Sequence, residues 1–529
     1  MTVAGIDRVF ERRLATLVNS GERGVLRGGR KGIEKESLRV TPQGRIAATP
    51  HPAALGSALT NDRITTDYSE ALLELITPAF TETWQLLQCL VDLHEFVYKH
   101  IDDELVWATS MPCALDGDES IPIAEYGRSN IGRMKHVYRR GLGLRYGRVM
   151  QAIAGVHFNY SFPERFWPVL QEAWQSRVGG QELVNEAYFA LLRNYRRYGW
   201  LILYLFGVSP AVCRSFFKGR PMAKGLEELD PHTLYGPYAT SLRMSDLGYR
   251  NSSQASFSVS VNSLEHYTRD LESLVFTRSP EYARFGVIVD GEWRQLNDSV
   301  LQIENEYYSF IRPKRTARSG ERPTSALRRA GVEYVELRSL DVSAFDPVGV
   351  NQNKMRFLEA FAALCLLKDS PPIQRAEEQA LDGNHVRVAR EGRRPGLALD
   401  LDGRPQPFGA WAAQLLDEMR GLCEILDEGD PARPYAAALE AQRLKLEDVE
   451  RTASARMLHE LRESGESFFR FALRMSGEHR QYFLDLHPPN PQTMASFAAE
   501  AAESLEKQRR IESADRLSFD EFVAAWYER

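Results

Sequence analysis

Glu34 and Glu36 stand two residues apart in the otherwise strand-like run GIEKESLRV. Side chains alternate along a strand, so both carboxylates share one face with Leu38, while Ile33, Lys35 and Ser37 take the other. Like charges about 4 Å apart repel by roughly 4 kcal/mol at an effective dielectric of about 20, so an inward-facing pair needs a proton or a cation between its members. On a solvated edge strand the pair needs neither. Further carboxylates elsewhere in the chain decide between the two. ITTDYSEALLELITP supplies Asp67, Glu70 and Glu74. GVHFNYSFP alternates, with His157, Asn159 and Ser161 opposite Val156, Phe158, Tyr160 and Phe162. GVEYVELRSLD puts Glu336 and Arg338 on one face with Tyr334 and Val332, and VLQIENEYYSFIRPKR carries Glu304 and Glu306 ahead of Arg312, Lys314 and Arg315.

Several such strands in one sheet can converge on a cavity whose negative charge demands hard divalent cations. Oxygen ligands with one imidazole favour magnesium or manganese over zinc. Three chemistries remain open on these residues. A glycosidase needs only two carboxylates, about 5–9.5 Å apart, and no basic cluster. A magnesium-dependent phosphoryl-transfer enzyme uses all the carboxylates and the arginines. A non-enzymatic module leaves the charges on its surface. The basic run at 312–315 reads equally as a solvated loop and as a nucleotide-phosphate contact. The chain has no P-loop GxxxxGK[ST] and no kinase-type glycine loop, so nucleotide chemistry here requires a different fold.

The elements that must position these residues are legible in outline. With 529 residues the chain can bury a large core, as one elaborated domain or as two or three. A net charge of −6 and a pI near 6.1 give no global reason to bind nucleic acid or anionic lipid, which points to small-molecule partners. The longest apolar run, WLILYLFGVSPAVC at 200–213, is too short for a bilayer and is broken by Gly207, Ser209 and Pro210, so it reads as a buried element. Charges in MTVAGIDRVFERRL stand where a signal peptide needs its apolar stretch, which predicts a cytoplasmic protein. Cys89, Cys113, Cys213, Cys365 and Cys423 are odd in number and widely spaced with no CxxC, which predicts reduced, buried thiols without a disulfide or a zinc site. Short alternating runs interleave with helical stretches up to about 345, and helices dominate afterwards, as in WAAQLLDEMRGLCEIL with Leu415, Met419, Leu422 and Leu426 on one stripe. EGRRPGLALDLDGRPQPF at 391–408 reads as a connection. The prediction is an α+β catalytic core over 1–405 and a helical region over 406–529 packed on it.

GIEKESLRV, HPAALGSALT, ITTDYSEALLELITP, SMPC, GLGLRYGRVMQAIAGVHFNYSFP, RNYRRYGWLILYLFGVSPAVC, PYATSLRMSDLGY, VLQIENEYYSFIRPKR and GVEYVELRSLDVSAFDPVGV resemble, in this order, blocks of the proteobacterial type of glutamate–cysteine ligase, also called gamma-glutamylcysteine synthetase. The resemblance runs from about 28 to 350, EGRRPGLAL extends it to about 400, and the last 120 residues share only helical character. It implies ATP-dependent joining of the L-glutamate gamma-carboxyl to the L-cysteine amine through a gamma-glutamyl phosphate, the first step of glutathione biosynthesis. The alternative is a related carboxylate–amine ligase with a different amine acceptor. The implied fold is similar to the catalytic domain of glutamine synthetase, an antiparallel sheet with a metal-lined concave face and flanking helices. Two or more Mg2+ ions, or Mn2+, would be held by Glu34, Glu36, Asp67, Glu74, His157 and Glu336. Arg338 matches an arginine beside the reacting carboxyl and the transferred phosphoryl group, and the resemblance implies Arg338 and Glu336 as catalytic residues. Arg243 matches a substrate-binding arginine, and Tyr138, Gln151, Tyr249 and Tyr308 match positions lining the cysteine pocket. LNDS at 296–299 replaces the family's INSN, so no nucleotide role is carried over there. Glutathione as feedback inhibitor and a monomeric state complete the expectation, with no nucleic-acid or membrane partner.

Overall fold

A computed structural model describes residues 7–22, 24–248, 257–318, 320–486 and 490–528. Its main sheet contains Arg30–Val40 (β1), Ile64–Thr66 (β2), Leu72–Ile76 (β3), Leu105–Val106 (β4), Gly155–Ser161 (β5), Ile311–Lys314 (β6) and Tyr334–Asp341 (β7). The order is β6-β7-β5-β1-β3-β2, with β4 pairing the far end of β1, and every neighbouring pair is antiparallel. The period of two along each strand, locked by this register, sorts the side chains. Glu34 pairs His157, Glu36 pairs Glu74, Asn159 pairs Glu336, and Glu336 pairs Arg312, which gathers the polar residues on one face. Ile33, Leu73, Leu75, Phe158, Val335 and Leu337 go to the other, where all are buried. Between Leu337 and Leu340 the register shifts by one residue, a bulge that keeps both leucines inward.

Helices cover the apolar face. Thr83–Tyr98 (α1), Gly180–Tyr198 (α3) and Gln352–Leu367 (α4) lie behind the strands, while Asn130–Tyr146 (α2) carries Tyr138. Lys31, on the back of β1, donates to Glu359 of α4 at 2.7 Å, and Tyr160 of β5 reaches the same carboxylate at 3.2 Å. Because the pair is buried, losing either member would strand a charge.

From Phe408 onward the chain is helical, including Phe408–Leu426 (α5), Pro434–Glu447 (α6), Phe468–Asp485 (α7), Pro491–Ala514 (α8) and Phe519–Tyr527 (α9). Helices α5 to α8 share one apolar core with the sheet, while α9 packs in a smaller one: Leu415, Met419, Leu422 and Leu426 form the buried stripe of α5, in the same cluster as Leu38 and Phe158. Tyr435 of α6 donates to Glu359 at 2.7 Å, joining the helical region to the back of the sheet. The apolar run at 200–213 becomes a buried helix, Trp200–Phe206, and a short strand, Ala211–Cys213. Among the described residues no helix is long and apolar enough to cross a membrane.

Two expectations are corrected. The stretch at 391–408 contains a hairpin, Ala398–Leu401 with Arg404–Pro407, turned by Asp402 and Gly403, both at positive φ. This is the backbone of a tight two-residue hairpin, for which an Asp-Gly pair is the local signal. The thiols are not all reduced either: Cys113 and Cys213 form a disulfide with their Cα atoms 5.4 Å apart. Their separation of 100 residues hides the contact from any spacing rule, because only the fold brings the loop after β4 against the strand Ala211–Cys213. Cys89, Cys365 and Cys423 stay free and buried. Thiol titration of the denatured protein is expected to find three reactive cysteines before reduction and five after it; five in both conditions would refute the bridge.

Candidate functional site

The polar face of the sheet concentrates charge around His157. Its Nδ1 lies 3.2 Å from Glu34 Oε2 and 3.3 Å from Glu336 Oε1, and its Nε2 lies 3.7 Å from Glu36 Oε1. Glu34, His157 and Glu336 each offer a ligand atom, and the three atoms lie within 4.8 Å of one another. Cations close the other side: Arg338 donates to Glu336 Oε1 at 2.6 Å, and Lys314 Nζ stands 3.2 Å from Glu336 Oε2. Gly155 N donates to Glu36 at 2.7 Å, and Asn159 Nδ2 donates to Glu34 at 2.9 Å. Glu74 faces Glu36 across the β1–β3 pair. Asp67 follows β2 directly, with its carbonyl accepting from Tyr126 at 2.9 Å and from Arg139.

Protonation follows from this crowding. Burial, together with Glu34, Asp67 and Glu36, pushes the Glu74 carboxyl up to about 8. Burial and Asp67 also raise Glu36. Burial and Arg338 oppose the charged form of His157, but Glu36 and the hydrogen bonds to Glu336 and Glu34 prevail and lift it to about 9. Burial works against ionised Glu336 too, yet Arg338, Lys314 and His157 hold it well below the usual carboxylate range. One face therefore carries both a proton-holding acid and a firmly ionised one, the signature of a site built to receive positive charge.

Arg243 is buried at one end of the ladder. It donates to the Arg338 carbonyl at 3.1 Å, and its Nη1 lies 3.8 Å from Asp341 Oδ1. It occupies space left by Gly155, where a Cβ would fall 2.0 Å from Arg243 Nη2. Tyr308 lies with Arg243, Arg338 and Arg312 in its electrostatic surroundings, and its hydroxyl points to Met244 Sδ at 3.4 Å. Tyr138 has Glu306, Arg139, Arg312 and Asp67 around its phenol. Gln151 ends the short helix Arg148–Gln151 that leads into β5. Tyr249 lies outside the described residues.

The basic run divides. Arg312 and Lys314 share the polar face, with Arg312 donating to the carbonyls of Asn305, at 3.0 Å, and Tyr307. Arg315 is not brought to the cluster: it turns to the carbonyls of Gly331, at 2.7 Å, and Ala330. Position 315 is odd where the polar face of β6 is even, and the open carbonyls ending the helix Pro323–Ala330 attract a cation. Glu304 and Glu306 are likewise engaged elsewhere, with Arg322 at 2.7 Å and Arg145 at 2.9 Å. Asn159 and Asp341 received no role from the sequence. The signal for Asn159 was its shared strand face with His157. Asp341, which accepts from Val208 N, Ser209 Oγ and Ser241 Oγ beside Arg243, had none.

Residues 14–388 match the family model for glutamate–cysteine ligase. The chain belongs to the glutamate–cysteine ligase family of ATP-dependent ligases. Over 525 residues it is 51% identical to a glutamate–cysteine ligase of Azotobacter vinelandii, covering 98% of each chain. A Pseudomonas putida glutamate–cysteine ligase is 50% identical over 495 residues, 94% of each chain. Among solved structures, the glutamate–cysteine ligase of Francisella tularensis in complex with AMP superposes with a TM-score of 0.89 at 36% identity, covering 95% of this chain and 98% of that one. A bifunctional glutathione synthetase of Pasteurella multocida shares the fold at a TM-score of 0.71 and 23% identity, over 91% of this chain and 55% of its own. The family's antiparallel sheet and helical C-terminal region are those described above.

The raised Glu74 predicts a pH effect in metal-free protein. Between about 4.5 and 8 the folded chain holds a proton at Glu74 that the unfolded chain has released, so stability falls as pH rises through that window. Denaturation of metal-free protein is expected to show a loss approaching one proton's slope, about 1.4 kcal/mol per pH unit, between about 4.5 and 6.5, above which the raised His157 adds a loss of the same sign. Glu74→Gln, which mimics the protonated acid, is expected to flatten it; an unchanged profile would place the proton elsewhere.

Proposed function

We propose that the chain joins the gamma-carboxyl of L-glutamate to the amine of L-cysteine with cleavage of ATP, the first step of glutathione synthesis. The observation that carries this is the convergence of Glu34, His157 and Glu336 within 4.8 Å, with Arg338 and Lys314 on the same Glu336, in a chain of this family. The AMP held by the Francisella relative supports the use of a nucleotide by this chain.

The donor set fits Mg2+ or Mn2+: carboxylates with one imidazole are hard ligands, and the raised acids Glu36 and Glu74 are groups that a cation would ionise. Glu34, Glu36, Asp67, Glu74, His157 and Glu336 would hold two or more such ions, lining the face of the sheet. Bound magnesium supplies neutralisation of phosphate charge and a template for in-line transfer.

The chain's own groups do the rest. A carboxylate is a poor electrophile until one oxygen becomes a good leaving group. An oxygen of the glutamate side chain attacks the γ-phosphorus, the bond to ADP breaks, and Arg338 stabilises the phosphoryl group in transit, with Lys314 and Arg312 on the strand beside it. Arg243 binds amino-acid substrate. The cysteine nitrogen then attacks the acyl carbon, inorganic phosphate leaves, and the amine proton is lost; an α-amine titrates near about 8, so little assistance is needed. Tyr138, Gln151 and Tyr308 line the amine pocket. Because one small group separates cysteine from serine or 2-aminobutyrate, selectivity is worth about 1–3 kcal/mol. Residues 1–405 carry this machinery and 406–529 support it, in a monomeric cytoplasmic enzyme subject to feedback by glutathione.

Phosphate release from ATP and Mg2+ with glutamate is expected to require cysteine and to fall by at least about 100-fold in Glu34→Gln, beyond the range usual for outer-shell changes. Release that ignores cysteine but follows another amine would reassign the acceptor. Release indifferent to Glu34 would remove the metal role.

A further inference from the structure

Helix α9, the last of the chain, lies outside the sheet, yet its contacts lead to the site. Tyr527 donates to the carbonyl of Gln302 at 2.8 Å and accepts from Asn297 Nδ2 at 2.8 Å. Trp293 Nε1 donates to Asp520 at 3.0 Å. Phe519 and Val523 pack in a separate apolar cluster with Met134 and Val137 of α2 and with Leu296. The helix thus grips two things at once: the turn of α2 that bears Tyr138, and the segment 293–302.

Gln302 joins them. Its side chain is fully buried, with Oε1 accepting from Leu296 N at 3.0 Å and Nε2 donating to the Tyr138 carbonyl at 3.1 Å. Its backbone N donates to Glu306 at 2.6 Å, and Glu306 accepts in turn from Arg145 at 2.9 Å and Tyr146 at 2.7 Å. Room for this amide exists because position 141 of α2 is glycine; a Cβ there would lie 2.2 Å from Gln302 Oε1. The network thus reaches Tyr138 at one end and, at Glu306, stops two residues short of Tyr308 at the other.

We propose that α9 is a positioning clamp for the amine-acceptor wall: Tyr527 fixes Gln302, and Gln302 fixes Tyr138 and the approach to Tyr308. This rests on the reading that these tyrosines line the amine pocket. Neither Tyr527 nor Gln302 touches substrate; both act through Tyr138, so their loss loosens amine binding rather than phosphoryl transfer.

Two full-length variants test it. Tyr527→Phe keeps the ring and removes the hydroxyl. Gly141→Ala strengthens a helix interior while displacing the Gln302 amide. In both, KM for cysteine is expected to rise about threefold to tenfold, while kcat and the KM for ATP stay within about twofold. The double variant is expected to be no worse than the worse single, since both break one network. A lowered unfolding midpoint with an unchanged cysteine KM, or a parallel rise in every KM, would overturn the clamp and leave α9 as structural support. Wild-type protein separates the two failures: no cysteine-dependent turnover there sinks the ligase reading and the clamp with it, whereas normal wild-type turnover with unmoved variants sinks the clamp alone.

Discussion

Repulsion among carboxylates on one face of a sheet is the constraint the rest of this structure serves. Glu34, Glu36, Glu74 and Glu336 cannot all be ionised side by side without partners, and the fold meets that demand in three ways. It supplies fixed cations, Arg338 and Lys314 against Glu336. It lets Glu74 keep a proton to about pH 8. It sets the imidazole of His157 among three carboxylates. Holding these groups at such spacing takes a rigid backbone, which the antiparallel ladder and the buried apolar face provide. Even the lysine between the two glutamates obeys the division: Lys35 points backward, donates to His94 Nε2 at 2.7 Å, and is pushed down to about 7 by burial.

The period-two reading of single strands was sound because it rests on backbone geometry alone. Glu34 with Glu36, His157 with Asn159, and Glu336 with Arg338 each share a face, as alternation requires. Which strand lies beside which is a different kind of information. That Glu34 meets His157 and Glu36 meets Glu74 depends on pairings across many residues of intervening chain, and no local pattern encodes them. The same blindness to long-range contact explains the missed Cys113–Cys213 bridge and the unassigned Asp341. Glu304 and Glu306, which received no metal role, show the limit of spacing alone. Their spacing matched the cluster's, but they lie in a short 3-10 turn rather than a strand, so the alternation argument did not apply. Arg315, one position past the end of β6, turns away from the polar face to the carbonyls of Gly331 and Ala330.

The helical region beyond residue 406 packs on the sheet-bearing part of the chain. In three dimensions it has no separate interior. Glu359 accepts from Lys31 and Tyr435, so one buried carboxylate fastens a strand from the start of the chain to a helix from near its end. Ser57 likewise bonds Ser504 and Gln508 of α8, closing the other flank.

This interleaving has a consequence for how the molecule is made. β3 ends at Ile76, but β7, which completes the ladder around Glu336, begins only at Tyr334. At about 5–20 residues per second a ribosome needs roughly 13–50 s to cover that interval, with the helices that close the core still to come. Throughout it the emerging chain carries β1 with its apolar side uncovered by α4. Synthesis of this chain is therefore an aggregation-exposed process by topology, with a demand for chaperoning set by strand order rather than by final stability.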